Sequence, residues 1–477
     1  MLLVILAPLA FAAVALALPS NRTRPWVLLA GALVHAAGVS WLFATAPAPR
    51  AGDWLALDAI GKVTLLTTTL LFVASAVYAQ GYLSRRQDRD NRVFVGGLLG
   101  LLASMTTVAL SHHLGLTWVA MEASTLCTAP LVYFNHNARS LEAAWKYLLI
   151  GSLGIALALL GTFFLALASS APGAPRSLFV EELVAAGSAL SRPWVRAAFV
   201  FLLVGYGTKM GLAPLHSWKP DAYGEAPGVL GALLAGGLTN FAFLAVVRVF
   251  QVTRAAGEEA FARDALVALG LFSIGLAAVF VVGQKDFKRM LAYSSVEHMG
   301  ILALGIGLGG GAAAGAFFHC LNNGLTKGVV FLSAGNIHRA YGSKTTDEVS
   351  GAARLLPVSG PLFLAGFLAV TGSPPFSPFF SEFAILNGAF GAGRFAVGAL
   401  FLAFLAVIFV GMGTTVLAVV QGDPGRRERR PATRDHWLMA APPLVLMVIV
   451  LLLGLFLPQG LRDLFGAAAA LVGGGWE

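Results

Sequence analysis

Apolar runs about as long as a bilayer is thick follow one another almost without pause along this chain. They fall at 2–18, 25–44, 59–82, 93–111, 114–134, 143–169, 195–217, 227–250, 265–283, 290–309, 312–337, 358–388, 395–420 and 438–458. A helix needs ~20 apolar residues to cross the hydrocarbon core, and only helices and closed barrels satisfy their backbone polar groups there. The runs therefore predict an all-α integral membrane protein of fourteen transmembrane helices, numbered in chain order. A soluble multidomain protein would carry roughly 25% charged residues; this chain carries 12%, with 57% hydrophobic residues. The net charge of +9 is spread as short basic clusters between apolar runs rather than gathered into a nucleic-acid patch, so no nucleic-acid partner is expected. The opening MLLVILAPLAFAAVALALPS lacks the basic start of a signal peptide and reads as a retained first helix.

Loops after odd-numbered helices hold nineteen lysines and arginines, against seven after even-numbered ones. The bias places the odd loops in the cytoplasm and both termini outside. Lys219, in the sequence Lys219-Pro220-Asp221, counts among the cytoplasmic bases as part of a charged mouth. The connection 171–194 has room for one short amphipathic helix on the outer surface. The loop 421–436 is too charged to bury and reads as a topology anchor at the lipid headgroups.

Two helices carry internal breaks, the seventh at Pro214 and the twelfth at Gly372-Ser373-Pro374-Pro375. Proline removes a donor and interrupts a helix. Breaks five helices apart imply that helices 4–8 and 9–13 are inverted repeats around a transport site. The division expected is 1–92 for helices 1–3, 93–251 for the first repeat, 252–421 for the second, and 422–477 for a basic loop, helix 14 and a short amphipathic end.

Ionisable groups at membrane depth mark ion or proton paths. They are Lys62, Glu122, Lys146, Lys209, Arg248, Glu297, His298, His319, Lys327 and Glu382. Lys62, Lys146 and Arg248 lie near helix ends, where they can snorkel to the interface. Glu122 in helix 5 is expected to pair with Lys209, beside the break in helix 7, each controlling the other's proton affinity. Glu382, just after the second break, is the equivalent acceptor, with His298, His319 and Lys327 between them. The run GIGLGGG at 305–311 follows no strand and is not a phosphate loop; Gly311 and Gly315 suit close helix packing. His112 and His113 are adjacent and cannot share a helical face as metal ligands. With two lone cysteines and no Cys/His cluster, the chain should hold no cofactor or metal of its own.

The stretches WVAMEAST, TKMGLAPLHSWKPDAYGEAPGVLGALLAG, DFKRMLAYSSVEHMGIL, HCLNNGLTKGVVFLSAGNI and TGSPPFSPFFSEFAIL resemble one superfamily. These are the antiporter-like, proton-pumping membrane subunits of respiratory complex I, Mrp-type antiporters and membrane-bound hydrogenases. SSVEHMG and FFSEF look most like the F-type subunit of hydrogenase-4 and formate hydrogenlyase. The resemblance implies a proton relay through Glu122, Lys209, His298, His319, Lys327 and Glu382. It places Asn240 where the family's helix-8 relay is usually a lysine or histidine. Asparagine cannot carry a proton as a charge, though it can hold a water in line. The implied protein is a non-redox subunit in the cytoplasmic membrane of a prokaryote. Its partners would be the other membrane and peripheral subunits of a hydrogenase or complex I-like assembly, with iron–sulfur and nickel–iron centres in those partners. Two alternatives stand beside it: an Mrp-type sodium/proton antiporter subunit, and a structural membrane-arm subunit that no longer pumps.

Overall fold

The computed structural model describes residues 1–421 and 433–476. Fourteen helical segments match the fourteen apolar runs: α1 (Leu2–Ala17), α2 (Arg24–Thr45), α3 (Ala59–Leu83), α4 (Arg92–Leu110), α5 (Leu114–Val132), α6 (Ala138–Ala168), α7 in two pieces (Arg192–Met210 and Trp218–Glu225), α8 (Gly228–Ala255), α9 (Glu259–Val281), α10 (Phe287–Leu308), α11 (Gly310–Tyr341), α12 in two pieces (Ser359–Val370 and Ser377–Gly391), α13 (Phe395–Gln421) and α14 (Trp437–Leu455). A short α15 (Gln459–Ala470) follows, where an amphipathic end was expected. The connection after α6 holds one six-residue helix, Val180–Ala185. Among the described residues there is no strand beyond isolated bridges. Most of the basic loop 421–436 lies outside the described residues.

Local chemistry sets the boundaries. The Asp58 side chain accepts from Gly61 N at 2.8 Å and starts α3, satisfying a donor that the first turn leaves free. Asn137 and Ser140 make a reciprocal capping box that starts α6. Asp286 caps α10 through the Lys288 and Arg289 amides.

Both predicted breaks are present, but the first opens earlier than Pro214. The first piece of α7 stops at Met210, because Gly211 turns left-handed (φ +82°). Pro214 lies inside the connecting loop.

Polar side chains sit on the central helices. Outward faces of α1, α2, α13 and α14 present leucine, valine and phenylalanine, as a lipid-facing surface should. Trp26, Trp41, Trp145 and Trp437 stand exposed near helix ends, the headgroup level where tryptophan is favoured. Gly315 lets α11 approach α12 to within contact of Ser381 O and Ala384, whereas Gly311 faces only the C-terminal tail.

Candidate functional site

In the first half, Lys209 ends the first piece of α7 and is fully buried. Its Nζ donates to Thr125 Oγ1 at 2.6 Å and to Tyr147 OH at 3.1 Å. Thr125 Oγ1 in turn donates to Glu122 Oε2 at 3.2 Å, and Ser152 Oγ donates to Glu122 Oε1 at 2.7 Å. The expected Glu122–Lys209 ion pair is therefore not direct: one hydroxyl joins them. Thr125 stands three residues after Glu122, on the same face of α5, so that helix supplies both the carboxylate and its bridge. Glu122 is only half-buried.

The second half repeats the arrangement. Lys327 on α11 is fully buried and donates to Ser294 Oγ at 2.8 Å. Ser294 Oγ donates to Glu297 Oε2 at 3.2 Å, both on α10. Beside this group, His298 Nδ1 and His319 Nε2 share a hydrogen bond of 2.8 Å. His319 Nδ1 lies 3.0 Å from Ser381 Oγ on α12, one residue before Glu382. Three of the predicted relay residues thus meet, since His298, His319 and Glu382 bring one ligand atom each within 4.8 Å of one another. That spacing could hold a metal ion, but the facing imidazole nitrogens already occupy each other. Glu297 Oε1, Glu382 Oε1, Asn322 Oδ1 and Asn323 Oδ1 are buried without a hydrogen-bond partner.

Asn240 stands between the halves, directly after a π-helical stretch, Leu234–Leu238. Its Nδ2 donates to the carbonyls of Gly236 (2.9 Å) and Cys320 (3.0 Å), and its Oδ1 accepts from Asn323 (3.3 Å). Both amide hydrogens are spent on backbone.

The structure moves two other residues. Lys219 is not part of a solvated mouth. It is 0% exposed, with Nζ 3.3 Å from the Ser295 carbonyl on α10. The mouth is made instead by Asp221, which binds Lys146 (2.9 Å) and Arg289 (2.7 Å). Arg248 does not snorkel. It is buried in a two-pronged bond with Asp58 at 2.5 and 2.9 Å, and its Nη2 lies 3.2 Å from His112 Nε2. His112 reaches on to Glu181. His113 stacks on Trp54 instead, 4.2 Å between ring centres, so the adjacent histidines serve different contacts.

The family described as NADH:quinone oxidoreductase/Mrp antiporter, TM, matches residues 111–411. The chain belongs to this family. Within it, the chain is 34% identical over 436 residues to the hydrogenase-4 component F homolog of Methylacidiphilum infernorum, covering 88% of this chain and 89% of that protein. It is 31% identical over 475 residues to NADH-quinone oxidoreductase subunit N of Desulforudis audaxviator, covering 95% and 89%. Its fold matches a chain of an archaeal respiratory membrane complex, the membrane-bound sulfane sulfur reductase, with a TM-score of 0.88 at 21% identity over 99% of this chain and 97% of that one. This member of the NADH:quinone oxidoreductase/Mrp antiporter family is thus a multi-pass membrane protein of antiporter-like fold, with buried lysines, glutamates and histidines along its centre.

Proposed function

We propose that this chain moves protons as a membrane subunit of a redox-driven complex of hydrogenase-4 type. The observation that carries the reading is the pair of hydroxyl-bridged groups, Lys209–Thr125–Glu122 and Lys327–Ser294–Glu297. A buried ammonium held to a carboxylate by one rotatable hydroxyl is poised rather than locked. Small movements of α5 against α7 change how far each group stabilises the other's charge, so the lysine can release a proton when the carboxylate withdraws. His298, His319 and Glu382 then carry the proton toward the outside. The unpartnered oxygens of Glu297, Glu382, Asn322 and Asn323 favour water along that stretch, because buried polar atoms need partners.

The names of the relatives support a place among the subunits of a larger assembly in a prokaryotic cytoplasmic membrane. In this reading both termini face outside, and iron–sulfur and nickel–iron centres belong to partner subunits. Helices 4–8 (residues 93–251) and 9–13 (residues 252–421) act as inverted copies. The test is proton movement by the whole complex in membrane vesicles carrying Lys209→Ala or Glu382→Ala. Loss of pumping with assembly intact supports the relay. Wild-type pumping in both removes it, and a sodium requirement moves the reading to antiport.

A further inference from the structure

Asn240 joins the halves mechanically, but with both amide hydrogens on backbone carbonyls it offers no titrating group at the junction. Lys219 does. Its ammonium is fully buried, its hydrogen bond is to the carbonyl of Ser295, and it stands 5.9 Å from the centre of the Tyr223 ring. Among the described residues no carboxylate lies within ion-pair distance of it. Ser295 directly follows Ser294, whose hydroxyl holds Lys327, so the two lysines reach adjacent residues of α10. Lys288 is the useful contrast. It too is buried and bonded to a carbonyl, that of Ala226 at 2.5 Å, but it belongs to a group that includes two carboxylates, Asp286 and Glu225, both paired to Lys344. A buried charge without a counter-charge is costly unless it can discharge.

The two helix breaks point the same way. A Cβ on Gly211, the left-handed residue that opens the first break, would lie 2.0 Å from Lys219 Cε. A Cβ on Gly372 (φ +65°), at the second break, would lie 2.1 Å from Glu382 Oε2. Each break therefore clears space beside its glycine for one ionisable side chain from the following helix piece. Lys219 stands to the first break as Glu382 stands to the second.

We propose that Lys219 carries the proton between the two halves, receiving it from the Lys209–Tyr147 side and passing it to Lys327. The inference rests on the relay reading above. One proton leaves Lys209 Nζ as one arrives on neutral Lys219 Nζ. It then leaves Lys219 as Lys327 becomes the ammonium, so the net charge of the path is unchanged. The buried hydroxyls of Tyr223 and Ser295 have no hydrogen-bond partner. Lys219 Nζ lies against the Tyr223 ring and bonds the Ser295 carbonyl, so a water on these hydroxyls can link it to Tyr147 and Ser294.

The experiment measures protons moved per redox turnover by the intact complex in inverted membrane vesicles, with assembly followed on native gels. Lys219→Met should assemble normally, because an apolar chain of similar length replaces an unpaired buried charge. Its proton yield should fall at least roughly tenfold. Lys219→His should keep part of the yield at acidic pH and lose it as the imidazole deprotonates. Normal yield in Lys219→Met with loss in Lys209→Ala would overturn the proposal and leave the relay standing. Normal yield in both would remove the relay as well. If Lys219→Met does not assemble, Tyr223→Phe decides: a reduced yield supports the bridge, and an unchanged yield overturns it.

Discussion

The two lysine–hydroxyl–glutamate groups are built alike and finished differently. Around Lys209 the polar atoms are provided for: the ammonium has Thr125 and Tyr147, and both oxygens of the half-buried Glu122 are used, by Thr125 and Ser152. Around Lys327 the ammonium has Ser294 alone, and Glu297 and Glu382 each keep one buried oxygen without a partner. A satisfied network holds one arrangement, whereas a part-satisfied one in low dielectric stays costly until water or a proton enters. In the proposed relay this difference makes the first group the slower to give up its proton and the second the readier to pass one on.

The largest expected effect is at the second group. Lys327→Ala truncates a fully buried side chain and removes the ammonium bonded to the Ser294–Glu297 group, a loss of about 2–5 kcal/mol. The complex should assemble poorly and what assembles should not pump. Combining Lys327→Met with Glu297→Gln should restore assembly on native gels without restoring pumping. Restored pumping would break the comparison, since the second group would then be packing.

Arg248→Met should cost a similar amount, about 3–5 kcal/mol, because Asp58 is left buried without its partner. It sharpens the contrast by testing a static pair. Thermal stability of the purified complex should fall, while proton yield per turnover of the surviving complex should not.

Lys209→Ala should be milder for stability, about 1–3 kcal/mol for the groups left unsatisfied, since half-buried Glu122 keeps Thr125 and Ser152. Its proton yield should still collapse. Stability loss equal to that of Lys327→Ala would mean that the two sites are not finished differently after all.

Much of this was legible before the structure. Lipid forbids irregular backbone, so the apolar runs placed all fourteen segments, and proline marked both breaks, although the first opens at Gly211, ahead of Pro214. Glu122, Lys209, His298, His319, Lys327 and Glu382 stood out because charge at membrane depth is rare. The joining of Glu122 to Lys209 through Thr125 was half-visible, in the three-residue spacing on one helix face. Lys219 was missed because it sits beside Asp221 in a string that reads as solvent-facing. The clue was there: residues two apart on a helix point to nearly opposite sides, so once a helix restarts at Trp218 the two cannot share a mouth. The Arg248–Asp58 bond could not be read at all, because its partners lie 190 residues apart and no local pattern links them.

The smallest expected effects come from the bridging hydroxyls, and they test the comparison most directly. Thr125→Val keeps the shape of the side chain and removes one bond from Lys209, which still has Tyr147 at 3.1 Å; the cost should be about 1 kcal/mol. Ser294→Ala removes the hydrogen bond by which Lys327 is held and the one that Glu297 Oε2 accepts, so its cost should be larger, about 1–3 kcal/mol for a buried group left unsatisfied. Proton yield should follow the same order, with Ser294→Ala below Thr125→Val and both above the lysine substitutions. The reverse order would mean that the well-bonded first group, not the sparse second one, limits proton passage. A water that slips into the space left by the Ser294 hydroxyl would narrow the gap between the two variants, and Ser294→Val, which fills that space, should widen it again.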